Sequence, residues 1–256
     1  MAILFLDDYG FTQRTKSSQN AGEQKKSEKG LKDNKYFFSF IDSSVTNFGT
    51  EKEKNLFKKA IQRDILSHIL YMKFLFKESF IEIRKIQKIL IDLYRLIYKR
   101  DFLSTKSLLN NYAPMVILGK ECKAIKYLKF GYRDMRSSKR FFIMAENLQE
   151  NLYSMRLYKY VRVIKKAKHG KRYAFLAMIA AKNAVNKKKE PSKLGFEKLK
   201  GLISRLSPPD KKENNRLIHL DNFYRSKDDK SFYNLIWDNP NLHEIDDYER
   251  YMDVGE

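Results

Sequence analysis

Apolar periodicity is the feature that most constrains the fold of this 256-residue chain. From residue 51 onward, aliphatic and aromatic residues recur at steps of three and four positions, which is typical of amphipathic helices. The predicted helices are, in order, 52–76, 79–100, 105–114, a stretch that begins at Lys120, 139–167 and 171–186. The fold class is therefore predicted to be all-α.

The charge of the chain divides it into three parts. Residues 1–50 carry a net charge of +1, and positions 10–35 contain almost no aliphatic residue, so this part is predicted to be a flexible N-terminal arm. Residues 51–200 hold 37 basic and 13 acidic residues and are predicted to form one basic helical domain. Residues 201–256 have a net charge of −4 and are predicted to be a small acidic C-terminal appendage.

The composition excludes several classes of site. A formal net charge of +21 favours a polyanionic partner. One cysteine and four scattered histidines exclude a disulfide framework and a thiolate zinc cluster, so neither a metal nor a cofactor is predicted. Phosphate-binding, nucleophile-elbow and dinucleotide motifs are missing from the sequence, which favours a non-enzymatic protein.

A helix-turn-helix-like unit is predicted around residues 104–133. Ser104 is a suitable N-cap, Pro114 is expected to end the helix, and Gly119 closes an apolar connection. The following helix carries four lysines at three-residue spacing, which suit contacts with the phosphates of DNA in the manner of a recognition helix. These lysines are Lys120, Lys123, Lys126 and Lys129.

A second basic cluster lies between residues 158 and 173, interleaved with tyrosines. Cations neutralise phosphate and rings stack on bases, so this composition also suits nucleic acid. Its predicted DNA-binding members are Arg162, Lys165, Lys166, Lys168, Lys171 and Arg172. Gly170 is predicted to end one helix before the next begins. Double-stranded DNA is the predicted partner.

Two alternatives stay open. Arg63 and His68 fit the Arg-(four residues)-His pattern of the HEPN family of helical ribonucleases, in which the resemblance implies an arginine that stabilises the phosphorane charge and a histidine that transfers a proton. The other alternative is a protein that self-associates through its two long helices, and a homodimer is compatible with either reading.

The expected location is the cytoplasm. The apolar start of the chain spans about six residues, has no basic leader and runs into Asp7 and Asp8, unlike a secretory signal. Uninterrupted apolar runs stay well short of the roughly 20 residues of a membrane span, so no membrane partner is predicted.

Residues 84–180 resemble the protein from the sixth reading frame of the chlamydial virulence plasmid and its chromosomal relatives. The similarity is carried by Arg84-Lys85-Ile86-Gln87-Lys88, by the run from Lys99 to Thr105, and by Lys165-Lys166-Ala167-Lys168-His169-Gly170. The sequence departs from that family at Asn110-Asn111-Tyr112, where the family has an aromatic residue in its first helix. The resemblance implies a DNA-binding role in plasmid replication, partition or maintenance.

Overall fold

The protein is a bundle of long helices. The computed structural model describes residues 8–185, 231–246 and 248–252. Its elements are α1 (Asp8–Phe48), α2 (Glu51–Met72), α3 (Phe76–Leu118), α4 (Cys122–Glu146), α5 (Tyr153–Val185), α6 (Phe232–Asp238), a 3-10 turn at Leu242–Glu244, and α7 (Tyr248–Met252). Within these residues the elements are helices and turns without strands, which confirms the all-α prediction.

A capping box begins α2 and ties it to its neighbours. The Thr50 hydroxyl accepts from the Glu53 amide at 3.3 Å, and the Glu53 carboxylate accepts from the Thr50 amide at 2.8 Å. The same carboxylate pairs with Arg100 of α3, whose guanidinium also donates to the Phe48 carbonyl at 2.8 Å. One ion pair therefore joins the end of α1, the start of α2 and the middle of α3.

The spine of the bundle is α3, which has 43 residues and a length of about 64 Å at 1.5 Å per residue. Its first half packs in a core with α1, α2 and α5, where Leu90, Tyr94 and Ile97 are buried. Its second half packs with α4 and the end of α5 through Leu109 and Val116. The helix thus serves two hydrophobic clusters, one toward each end.

The N-terminal segment differs from the flexible arm that its composition predicts. It forms α1, and Phe37, Phe38 and Ile41 are at most 1% exposed in the main core. The Tyr94 hydroxyl donates to the Phe37 carbonyl at 2.8 Å, so α3 also holds α1 by a buried hydrogen bond. Burial of the short aromatic run offsets the ordering entropy of a segment that is otherwise polar.

The described part of the acidic C-terminal segment packs on α1 and α2. The ring of Phe232 stacks on that of Phe57 with centroids 6.3 Å apart, and Lys58 pairs with Glu244 at 2.7 Å. Residues 201–230 of this segment lie outside the described residues. The division of the chain at residues 50 and 200 stays a prediction.

Candidate functional site

The two most basic helices, α4 and α5, form an antiparallel pair. Gly131 of α4 lies against Gly170 of α5, where an added Cβ would come within 3.4 Å of the opposite carbonyl oxygen on one side and 3.3 Å on the other. Farther along, the Ser138 hydroxyl donates to the Val163 carbonyl at 2.9 Å. Since neither glycine has a side chain, the two backbones approach closely and their outer edges form one surface.

The expected helix-turn-helix unit is not confirmed. Ser104 lies inside α3, and the helix runs on through Pro114 to Leu118. Gly170, predicted as a helix end, lies inside α5. At these positions the burial of Leu109 and Val116 on one helix and of Ala167 and Ala174 on the other favours continuous helices over the local breaking signals.

The lysine stripe is only partly a helix face. Lys120 lies in the turn between α3 and α4 with φ of 49°, while Lys123, Lys126 and Lys129 are exposed on α4. The Lys126 ammonium is 5.8 Å from the centroid of the Phe130 ring, which in turn contacts the Tyr173 ring of α5 at 5.4 Å. The rings of Phe130 and Tyr173 therefore connect Lys126 of α4 to the part of α5 that contains the second basic cluster.

Most of the second cluster forms a row along the outer side of α5, here called the α5 ridge. The ridge comprises Arg162, Lys165, Lys166, Lys168 and Arg172. Several of its cations lie over aromatic rings of the adjoining helices. Arg162 lies 5.5 Å from the Phe141 centroid on α4, and Lys165 and Lys168 lie 5.6 and 5.5 Å from Phe40 on α1. Cation–π attraction holds these side chains in place while their charge faces outward.

Lys171 does not belong to this surface. It is 8% exposed, because its position on α5 faces the bundle interior, unlike the neighbouring Arg172. Lys166 approaches the carboxylate of Asp134 at 3.9 Å, and Arg133 and His169 reach the same carboxylate at 3.2 and 4.0 Å. Asp134 is buried, so it anchors the inner side of the ridge without presenting negative charge to solvent.

Arg63 and His68 have structural surroundings that differ from each other. The Arg63 guanidinium pairs at 2.7 Å with Glu82, whose carboxylate is fully buried and also binds Lys85. His68 is half-buried, contacts the Trp237 ring at 6.0 Å and lies 3.8 Å from Asp64. Burial lowers the pKa of His68. The geometry thus uses Arg63 in an interhelical ion pair and His68 in the contact between α2 and α6.

Three residues that support or adjoin the α5 ridge are not among the predicted site residues. Arg133 stacks on Phe130 at 4.7 Å beside the ridge, and Phe40 and Phe141 support its cations. Arg133 falls on the same edge of α4 as Phe130 and Phe141, a pattern that helical spacing reveals. Phe40 lies 125 positions from Lys165, and that contact leaves no local signal in the sequence.

Across the described residues, no helix is long and apolar enough to cross a membrane. The family model described as surface protein adhesin OmpL37 matches residues 21–251. No curated protein and no solved structure matches the chain.

The family match overturns several predictions from the sequence. The assignment to the chlamydial plasmid protein family is wrong, because a different family covers most of the chain. A surface adhesin family also conflicts with the predicted DNA-binding role in plasmid maintenance, with nucleic acid as the partner and with a cytoplasmic location. The physical reason for the error is that basic surface charge attracts any polyanion and does not identify which one. The match extends over far more than half of the sequence, so this chain belongs to the OmpL37 surface adhesin family.

Proposed function

We propose that this protein is a non-enzymatic adhesin that acts at the outer surface of the cell and holds an anionic extracellular ligand on the α5 ridge. Membership of a surface adhesin family supports the location and the adhesive role. The excess of positive charge on α5 is the observation that supports this helix as the ligand-binding surface.

The charge of α5 is uncompensated within the helix itself. Its 33 residues include nine Lys and Arg and no Asp or Glu. The adjoining α4 has seven basic and two acidic residues, and both acidic side chains are engaged: Asp134 is buried, and Glu146 binds Arg95 of α3 at 2.8 Å. The ridge therefore projects a positive potential that attracts anionic ligands over about a Debye length, roughly 8 Å at physiological salt.

The ridge is also preorganised for binding. The charged groups of Arg162 and Lys165 lie over the rings of Phe141 and Phe40, which reduces the side-chain entropy lost when a ligand is bound. The close packing of α4 on α5 at Gly131 and Gly170 fixes the two helices relative to each other. A rigid set of cations suits the binding of an anionic ligand, because little side-chain freedom is lost when the ligand is held.

The test is adhesion to extracellular matrix laid down by cultured cells. A ridge variant carries Arg162→Gln, Lys165→Gln and Arg172→Gln, three exposed positions. Its matched control removes the same charge from exposed positions on α2 and α3, as Lys52→Gln, Lys59→Gln and Lys99→Gln. We expect the ridge variant to lose at least tenfold in apparent affinity, from roughly 0.5 kcal/mol for each of three surface ion pairs, and the control to bind like wild type.

Equal adhesion of the wild-type, ridge and control proteins would contradict the assignment of the ridge. Circular dichroism and thermal unfolding of all three proteins check that each remains folded. Protease treatment of intact cells tests the location independently, because a protein at the outer surface is cleaved while a protein inside the cell is protected.

A further inference from the structure

The α5 ridge lacks the apolar anchor that a protein partner normally requires. Protein interfaces derive most of their affinity from a few buried aromatic or aliphatic residues within a polar rim. Along the described part of α5, the exposed large hydrophobic side chains are Met155 and Tyr158, and both precede Arg162 at the start of the ridge. On the edge of α4 between Lys126 and Phe141, the exposed Tyr132 is held by a hydrogen bond to Asn110 of α3, at 2.9 Å. Recognition at the ridge must therefore come mainly from charge.

The cations of the ridge are closely spaced. Arg162, Lys165 and Arg172 are exposed on one edge of α5, and the ten-residue distance between the two arginines corresponds to about 15 Å. With Lys166 and Lys168 on either side, the ridge has a cation for roughly every 3–4 Å of helix axis. A ligand that neutralises them all needs a comparable density of anionic groups along an extended chain.

The types of cation also limit the anion. The two arginines at the ends of the ridge present planar guanidinium groups that suit bidentate contacts with oxyanions, and the lysines between them act as point charges. Sulfate and carboxylate groups both offer several acceptor oxygens. A polysaccharide with one carboxylate in each disaccharide is too sparsely charged to occupy every cation, whereas one that also carries several sulfates is not.

We infer that the α5 ridge binds a densely sulfated polysaccharide of the glycosaminoglycan class. This inference rests on the proposed adhesive function and names the ligand of the same surface. Sulfate and carboxylate oxygens accept hydrogen bonds from Arg162, Arg172 and the lysines between them. Release of the counterions condensed on the polymer supplies much of the binding free energy, as for other linear polyelectrolytes.

The experiment measures binding of the purified protein to three polymers by isothermal titration calorimetry. The polymers are heparin, as the densely sulfated polysaccharide, hyaluronan with one carboxylate in each disaccharide, and poly-L-glutamate as an acidic polypeptide. We expect heparin to bind at least tenfold more tightly than either of the others. The logarithm of its affinity should fall linearly with the logarithm of salt concentration, with a slope that decreases by about one for each ridge cation removed. The ridge variant should lose about three in slope, and the control variant on α2 and α3 should lose none.

Equal affinity for poly-L-glutamate or hyaluronan would overturn the inference, since density of sulfate would then be irrelevant. A slope that falls equally in the ridge and control variants would overturn it as well, because binding would depend on total charge and not on the ridge. Digestion of the cell-derived matrix with heparinases and chondroitinases separates the two proposals. If ridge-dependent adhesion survives digestion, the adhesive role of the ridge stands and the polysaccharide ligand is wrong; if adhesion never depends on the ridge, the proposed function itself fails.

Discussion

Replacing Asp64 by asparagine should stabilise the protein above pH 7 and leave its stability almost unchanged near pH 4. Asp64 is 2% exposed in α2, and its carboxylate accepts a hydrogen bond from the Asn34 amide at 3.1 Å. Asn34 in turn accepts from Gln87 of α3 at 3.2 Å. An asparagine at position 64 keeps an oxygen acceptor for Asn34, so the main change is removal of a buried ionisable group.

The magnitude follows from the pKa of Asp64. Burial raises it from 3.8 to about 7, and the hydrogen bond from Asn34 lowers it only in part. Between these values the native protein retains a proton that the unfolded chain has released. The stability contributed by this group is therefore greatest below about pH 4 and is lost as the pH rises to about 7. A difference of about three pH units, at about 1.4 kcal/mol each, corresponds to roughly 4 kcal/mol.

His68, 3.8 Å from Asp64, has the opposite pH dependence. Burial lowers its pKa, so the unfolded chain binds a proton that the native protein excludes, and stability is lost as the pH falls through about 6.5. His68 is present in both the wild-type and the Asp64→Asn protein. The difference between their unfolding free energies therefore isolates Asp64 to first order.

Urea unfolding followed by circular dichroism between about pH 4 and pH 8 measures this difference. We expect Asp64→Asn to gain up to about 4 kcal/mol at pH 8 and nearly nothing at pH 4. The exposed Asp246 gives a matched control, because Asp246→Asn should change stability by less than about 0.5 kcal/mol throughout. A difference for Asp64→Asn that does not vary with pH, or a loss of stability at pH 8, would refute the reasoning.

Three further substitutions test the packing and capping of the helices by thermal unfolding. Gly170→Leu should cost about 1–3 kcal/mol, because an added Cβ already lies 3.1 Å from Met135, whereas Gly22→Ala, with open space around it, should stabilise α1 by up to about 1 kcal/mol. Equal effects at the two glycines would contradict the close approach of α4 and α5. Thr50→Ala should cost about 1 kcal/mol by removing the capping box of α2, and an unchanged melting temperature would show that this cap does not contribute to stability.

The sequence by itself determined the fold class and the location of the excess charge. When apolar residues recur at three- and four-residue steps, a helix places them all on one side. This relation does not depend on which elements pack nearby. The start of α2 was predicted to within one residue, at 52 against the observed Glu51. The concentration of Lys and Arg between residues 101 and 200 likewise required no tertiary information.

Where the helices end was decided by the tertiary structure. Ser104, Pro114 and Gly170 are local breaking signals, worth about 3 kcal/mol for the proline and about 1 kcal/mol or less for the other two, and burial of the flanking side chains in α3 and α5 outweighs them. The polar start of α1 is a similar case, because five buried aromatic and aliphatic side chains farther along the same helix support it. Local propensity is a weak term whenever a neighbouring surface is available to bury the chain.

The surface that carries the charge also depends on the tertiary structure. Lys171 and Arg172 are adjacent in sequence and carry the same charge, yet one is buried and the other exposed, because the orientation of α5 against its neighbours selects its outer edge. Phe40 supports Lys165 and Lys168 across 125 positions, a contact that exists only once α1 packs beside α5. The sequence therefore determined how much positive charge the protein carries, and the packing of three helices decided which cations lie together on one surface.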